Sequence, residues 1–545
     1  MSATAGAGRL SIIIILLHCW PLPSSAQDRL TAAEARQDLR YLFSALEQIH
    51  PDPYSAFGGR VNFGRRTAAL LEAVPDEGLT SPELYGIVRP FFGELSDGHT
   101  YVNSPPTAST SVVARRLPVR FAIATDAVFV QSAVPPFDKL IGYRLQAVQG
   151  VSIERAAELA AAVFPAENRF GAVRWLLRFL ASDRGTRRVF PGVEDSLSIQ
   201  LAGPDGKPVE MHLPYSLGAA AGRDVGWVLN RWDAIETGPG PFHWQLIDDS
   251  NVGYLRVSSI QGREAFEELR AVGRGDLPEQ LARYYERYES AAMPARLDAA
   301  LAGVPCFTHA VRDLLTAMRE RESKYLILDL RGNGGGWSSL ITPFLVLAYG
   351  NRYLGYDYPV TFATRISPSY LELTGRTLAQ LNAELGTDYG YGDFRFTEEK
   401  SIASELNSDE YARGLEPYAC GLADLVRSLE GTPIYSPEVL VLVDPSTFSA
   451  AYHFAYRVWH LGAKIVGVPS SQAGSAFVDV TPFELPQSKL SGSIARTAQI
   501  LFPEDASRGR VLAPDYPLSW RDFAVYEFDE HAEVRFALDL IKRGK

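Results

Sequence analysis

Apolar positions recur at helical spacing through the first hundred residues. Thr31 and Glu34 form a capping box, and Leu39, Leu42, Phe43, Leu46 and Ile49 lay one apolar stripe along the helix that follows, which His50-Pro51 ends. A second helix is predicted over about 63–74, and a third from Ser81-Pro82 through Leu84, Ile87, Val88, Phe91, Phe92 and Leu95. This helical region stops at Ser96-Asp97-Gly98-His99-Thr100. From about Leu117 to Pro214 the pattern changes to short β-runs punctuated by Gly, Pro and Asp. The Gln149-Gly150 turn, followed by a helix from Ile153, has the look of a PDZ-type peptide-binding module; an ordinary β-rich cap fits equally well.

Beyond a strand at 252–257 and a mainly helical stretch from Arg263 to Glu322, the run from Lys324 to Leu330 is apolar with almost no alternation, as in a strand covered on both faces. It ends in Arg331-Gly332-Asn333-Gly334-Gly335-Gly336, where the glycines let the backbone turn sharply and present main-chain amides to a crevice. Such a run serves a tight structural turn, a phosphate cradle or an oxyanion hole. The phosphate reading lacks its Lys-Ser/Thr pair and its Gly-x-Gly-x-x-Gly spacing. Residues 351–431 are polar, rich in Tyr and Gly and weakly periodic, which predicts an insertion lying over a site or an edge. A second apolar strand, Val439–Val443, then leads through Asp444-Pro445-Ser446 into a helix with Ala451, Phe454, Ala455 and Val458 on one face. Lys464–Val468 is a third apolar strand, so the three elements make a βαβ crossover.

Length and charge narrow the partners. The 545 residues suffice for two to four domains, and 46% hydrophobic with 21% charged residues is an ordinary globular composition. A net charge of −11 argues against nucleic acid or an anionic membrane surface as the main partner. Arg9, the apolar segment Ser11–Leu22 and the small residues up to Ala26 read as an export signal cut near Ala26, too short to span a bilayer comfortably. The expected location is therefore periplasmic or extracellular. Cys306 and Cys420 would remain, either paired or as two buried thiols. Neither they nor the scattered histidines show metal-ligand spacing, and no metal or cofactor is expected.

The candidate chemistry sits in the crossover. Ser449 falls in the first turn of its helix at the carboxyl end of a strand, where the Ala450 amide has no intrahelical partner and can face an oxyanion. Taken alone, Ser449 reads as readily as a capping residue. A serine nucleophile needs a base. His99 sits in a polar turn from which a side chain can be aimed; His453 is one helical turn past Ser449 but on the wrong stem to reach its hydroxyl easily, and His309 and His460 look like helix-surface residues.

The run Leu328–Gly336, followed by Thr447-Phe448-Ser449-Ala450-Ala451 and Gly467-Val468-Pro469, resembles the catalytic domain of the tail-specific (carboxyl-terminal-processing) serine peptidases, which include the tricorn core. Leu95–Thr100, Leu485–Ser488 and Pro514–Pro517 resemble further landmarks of that family, so the resemblance extends from about Thr31 to the end. It implies an α/β fold with a crotonase/ClpP-like ββα core: residues 1–26 a signal peptide, 27–115 an N-terminal helical domain, 116–220 the β-rich, PDZ-like module, and 221–545 the catalytic domain with its insertion. It further implies Ser449 as nucleophile and the amides of Gly334 or Gly335 and of Ala450 as oxyanion hole. One branch of the family takes its base from a lysine roughly two dozen residues past the serine; Ser470–Ser475 stands there, without a lysine. The other branch uses a histidine at the position of His99. Tyr452 departs from the glutamate common in the family. The expected function is an exported serine peptidase acting on peptide or protein substrates. A degenerate peptide- or ligand-binding protein on the same fold is the alternative, and a hydrolase of another acyl substrate a third reading.

Overall fold

Thr31 and Thr80 each accept the third amide of the helix they precede and receive that residue's glutamate on their own amide, which starts the helices Ala32–Ile49 and Ser81–Leu95. With Arg60–Glu72 they form the helical N-terminal region. The structure is a computed structural model that describes residues 29–105, 114–218, 226–236, 238, 240–247, 251–271, 273, 275–289, 291–399, 401, 408–416 and 419–544. The leader at 1–26 and its cut near Ala26 lie outside these residues. Among the described residues no helix is long and apolar enough to cross a membrane.

The N-terminal helices do not close their core alone. Their buried faces pack with Phe483, Leu485, Leu490 and Ile494 from the far end of the chain. The fully buried Asp38 accepts the amides of Gln487 and Ser488 at 2.9 and 2.7 Å, charge-assisted bonds that dock the Leu485–Ser488 turn on the first helix.

A six-stranded sheet runs through the middle in the order Tyr516–Pro517, Lys464–Gly467, Glu438–Val443, Tyr325–Asp329, Val252–Val257, Phe242–Ile247. All neighbours are parallel except the last pair. Leu326, Ile327 and Leu328 are fully buried because helices cover both faces, the reason this strand reads as an unbroken apolar run. The expected crossover is present: Glu438–Val443, the helix Ala450–His460, then Lys464–Gly467.

Two antiparallel sheets flank this core. One takes Val119–Ile123, Val128–Ala133, Arg144–Val148, Ser196–Ala202 and Pro208–Pro214 in that order and packs on the helices Ile153–Ala161, Arg169–Leu180 and Asp183–Val189. The other joins distant parts of the chain: Tyr101–Val102, Ser491–Ile500, Tyr358–Arg365 and Phe394–Glu399, with Ala476–Glu484 also on Ser491–Ile500. Residues 351–431 supply two of those strands, with Phe394–Glu399 at the sheet edge, and bury Tyr353, Leu354, Leu422 and Val426 in the largest core.

Cys306 and Cys420 are bonded across 114 residues, tying the start of the helix Phe307–Glu320 to the segment before Leu422–Leu429. A loop of that length restricts the unfolded chain strongly. Cys306→Ser is expected to lower unfolding free energy by about 2–4 kcal/mol, read as a shifted midpoint in a denaturant titration.

Candidate active site

The glycine loop and the serine turn are knitted together before any ligand is considered. Asn333, fully buried, donates from Nδ2 to the Val257 carbonyl at 2.9 Å and accepts the Gly335 amide on Oδ1 at 2.9 Å. Its carbonyl accepts the Phe448 amide at 3.0 Å. Asp444 accepts the amides of Gly332 and Ser446, and Thr447 Oγ1 donates to the Leu330 carbonyl. Gly335, at φ +100°, cannot be another residue: a Cβ there would meet Ser449 Cβ at 2.7 Å and the Ala450 nitrogen at 3.0 Å.

Ser449 occupies the N-cap position of Ala450–His460 with φ 54° and ψ −125°, backbone that L-residues rarely adopt. Its side chain caps nothing. Instead its Oγ lies 3.4 Å from His99 Nε2, although 350 residues separate the two. Such a long contact is common in an unliganded site and tightens with substrate. The Ser449 amide donates to Gln472 Oε1. The Gly335 amide, the alternative donor in the sequence reading, is spent on Asn333, while the Gly334 and Ala450 amides have no acceptor among the described residues.

His99 is aimed by the strand that follows it. Tyr101–Val102 pairs with Ser493 and Gly492, and Thr100 Oγ1 accepts the Ala495 amide at 2.9 Å, so the polar turn is held against the C-terminal half of the chain. Phe448 stacks on the imidazole, with centroids 4.9 Å apart. Asp97, the acid next to His99 in sequence, turns away from the ring. Its Oδ1 accepts the His99 backbone amide at 2.9 Å and its Oδ2 lies 3.2 Å from His50 Nε2. His50 Nδ1 accepts the Asp52 amide, so Nε2 carries the proton toward Asp97.

The acid that does face the ring is Glu167, which sequence reasoning missed. Its Oε1 lies 3.7 Å from His99 Nδ1, an electrostatic contact rather than a hydrogen bond, and Nδ1 has no other partner. Glu167 accepts the amides of Gly98 at 3.2 Å and Ala473 at 2.7 Å, which fixes its carboxylate between the histidine turn and the loop past Val468. Burial would depress the His99 pKa, but Glu167 and then Asp97 outweigh it and raise it above the ordinary imidazole value. Burial pushes the Glu167 carboxyl up, with His99 and the Ala473 amide pulling against it.

Asp97, His99 and Glu167 each bring a ligand atom within 4.8 Å of the others, a density that could hold a cation. Every carboxylate oxygen of the cluster, however, already accepts a protein hydrogen bond, which a metal would have to displace.

The sequence model of peptidase family S41 matches residues 304–516, a region holding the glycine loop, Ser449 and Gln472. Over that region the chain is similar to peptidase family S41. The crystal structure of mature CPAF superposes with a TM-score of 0.53 at 15% identity, covering 94% of this chain and 96% of CPAF. Mature CPAF complexed with lactacystin gives 0.53 at 14% identity, over 94% and 98%. The photosystem II D1 C-terminal processing protease gives 0.40 at 13% identity, over 90% and 94%. Comparison with curated protein sequences returns no match. The likeness to CPAF carries the fold: mixed helix and sheet with a helical N-terminal region, as expected from sequence.

In the segment 470–475, where the sequence has no lysine, the fully buried Gln472 accepts from the Ser449 amide. Tyr452 lies buried one turn below the serine with its hydroxyl unpartnered; burial holds that hydroxyl far above its ordinary pKa, so it stays neutral. His453 is engaged by Gln499 and burial pushes it down to about 4. His309 is exposed and meets the Cys420 carbonyl at 3.2 Å. His460, read as a surface residue, is half-buried: its Nδ1 meets Tyr356 at 2.9 Å inside an aromatic cluster, because Tyr356, Tyr358 and Tyr456 fold over it.

Proposed function

We propose that this protein is an exported serine-type peptidase that cleaves peptide bonds through an acyl-enzyme on Ser449. The single observation that carries this reading is the approach of His99 Nε2 to Ser449 Oγ, made by two segments with no local reason to meet. In the proposed mechanism Ser449 Oγ attacks the scissile carbonyl as His99 Nε2 takes its proton. The carbonyl oxygen becomes an oxyanion received by the amides of Gly334 and Ala450. Glu167 keeps the His99 proton on Nδ1 and balances the imidazolium. His99 then returns the proton to the leaving amine, and water, deprotonated by the same nitrogen, releases the acyl group. Export is supported by the leader pattern at 1–26 and by the Cys306–Cys420 bond, which suits an oxidising compartment.

The rival, a binding protein on the same fold, is favoured by Gln472 in place of a lysine and by Tyr452. A fluorophosphonate probe separates the two: covalent labelling at Ser449, lost in Ser449→Ala, supports the peptidase, and a folded wild type that stays unlabelled supports the binding protein.

The pH dependence follows from the cluster around His99. The base works when neutral, so kcat/KM should rise with pH through a midpoint above the ordinary imidazole value of about 6.5. Glu167→Gln removes the negative charge that stabilises the imidazolium, so the midpoint should move to lower pH while the plateau falls by about 10²- to 10⁴-fold. An unmoved midpoint would remove Glu167 from the mechanism.

A further inference from the structure

A cavity of about 190 Å³ opens beside the serine turn, and no step of the proposed hydrolysis uses it. Its walls are aromatic. Phe448, the residue before the nucleophile, forms one side, and Tyr101, Phe164 and Trp175 the other, with Phe164 4.0 Å from Trp175 and 5.3 Å from Tyr101 between ring centroids. Gly334, whose amide the proposed mechanism assigns to the oxyanion, also lines it. The cavity therefore shares residues with both the glycine loop and the turn that carries Ser449, within reach of a residue flanking the bond under attack.

Two glycines keep the space open. Gly98, between Asp97 and His99, approaches Phe448 and Glu167 so closely that a Cβ would meet them at 2.8 and 2.9 Å. Gly171, in the helix Arg169–Leu180, lets that helix come within 3.3 Å of Ser471 Cβ, measured from its own absent Cβ. Ser471 supplies an independent sign that the cavity is incomplete as it stands. It lines the cavity at 4% exposure, and its Oγ, itself buried, has no hydrogen-bond partner among the described residues, a state that native interiors seldom leave unfilled.

Charge narrows the occupant. Arg174 lies on the wall, stacked on Trp175 and donating to Ser446 Oγ at 3.1 Å, which disfavours a lysine or arginine side chain. Glu167, committed to His99, disfavours an acidic one. For size, an apolar cavity of about 150 Å³ accepts one benzene ring, so the space here suits one large side chain and no more.

We infer that this cavity is the specificity pocket of the peptidase and takes one large apolar or aromatic side chain from a residue flanking the scissile bond. The inference rests on the peptidase reading and adds a substrate class to it: unfolded or extended segments carrying Phe, Tyr, Leu or Met at the cut, rather than small or charged residues.

The test is cleavage of a proteome-derived peptide mixture by the purified full chain, with cut positions mapped by mass spectrometry. Large apolar and aromatic residues should be enriched at one of the two positions flanking the bond by at least about tenfold over Gly, Asp and Lys. Trp175→Ala, which widens the pocket, and Gly171→Leu, which fills it, should change that preference in opposite directions, toward bulkier and toward smaller residues, while preferences at more distant positions stay put. Thermal melts of both variants check that they fold. Cuts without preference, or a preference that neither folded variant alters, overturn the inference, as does fluorophosphonate labelling of Ser449 without cleavage of any peptide. Absence of both labelling and cleavage overturns the peptidase reading itself.

Discussion

Ser449→Ala should leave a folded protein whose peptide hydrolysis has fallen by about 10⁴- to 10⁶-fold, and His99→Ala should cost nearly as much. The two should not add. Once the hydroxyl is gone there is no proton for the imidazole to take, and without the imidazole the hydroxyl at neutral pH is a poor nucleophile, so the double variant should match the worse single one. Residual turnover would come from the Gly334 and Ala450 amides, which polarise the carbonyl without either side chain. Stability should move little, because among the described residues Ser449 Oγ caps no helix and hydrogen-bonds to His99 alone, and alanine inherits the same backbone strain at φ 54°. Steady-state hydrolysis of the peptide mixture, alongside thermal melts, reads both quantities; a Ser449→Ala variant that keeps hydrolysing would place the nucleophile elsewhere.

Asp329→Ala should cost about 3–5 kcal/mol of unfolding free energy, the largest stability loss expected from one side chain here. Asp329 is fully buried at the end of the central strand and accepts from Arg331 Nε at 2.9 Å, from Arg331 and Arg256 guanidinium nitrogens at 2.7 and 3.0 Å, and from the Tyr254 hydroxyl at 2.7 Å. Arg331 continues to Glu533. Removing the carboxylate leaves the buried Arg331 guanidinium with Glu533 as its remaining carboxylate and takes the ion-pair partner from the part-buried Arg256. Burial raises the Asp329 pKa, but Arg331 and Arg256 outweigh it and hold the carboxyl far below the usual range. A depressed folded pKa stabilises above the unfolded value of about 3.9 and is lost only as pH falls through the folded one, so the network should persist through mildly acidic pH. Denaturant titration measures the loss, and pairing the change with Arg331→Ala should cost less than the sum of the two, because the second removes one of the charges that Asp329 balanced.

Much of the site was legible because strand ends advertise themselves. The apolar runs ending at Asp329 and Val443, one followed by glycines and the other by a serine-bearing helix, are local patterns that physics reads directly. His99 was legible only through the resemblance, since a histidine in a polar turn has no periodicity to place it. Glu167 was not legible at all. It stands between two helices in a stretch read as a β-rich module, and it acquires its role from the Ala473 amide 306 positions away. The sheet that joins residues 101, 358, 394, 476 and 491 escaped for the same reason: antiparallel partners so distant in sequence leave no spacing to count. Gln472 showed itself only as a missing lysine, and its bond to the Ser449 amide became visible only in three dimensions.

The pairing of Tyr101–Val102 with Gly492 and Ser493 bears on the order in which this chain leaves the ribosome. The proposed base, His99, is translated early, the proposed nucleophile 350 residues later, and the strand that holds the histidine turn in place later still. A nascent chain that has not yet delivered residues 491–500 lacks the strand and the Ala495 amide that hold the histidine turn in place. Under the proposed mechanism, a product truncated before that strand should show less peptide hydrolysis than the full chain.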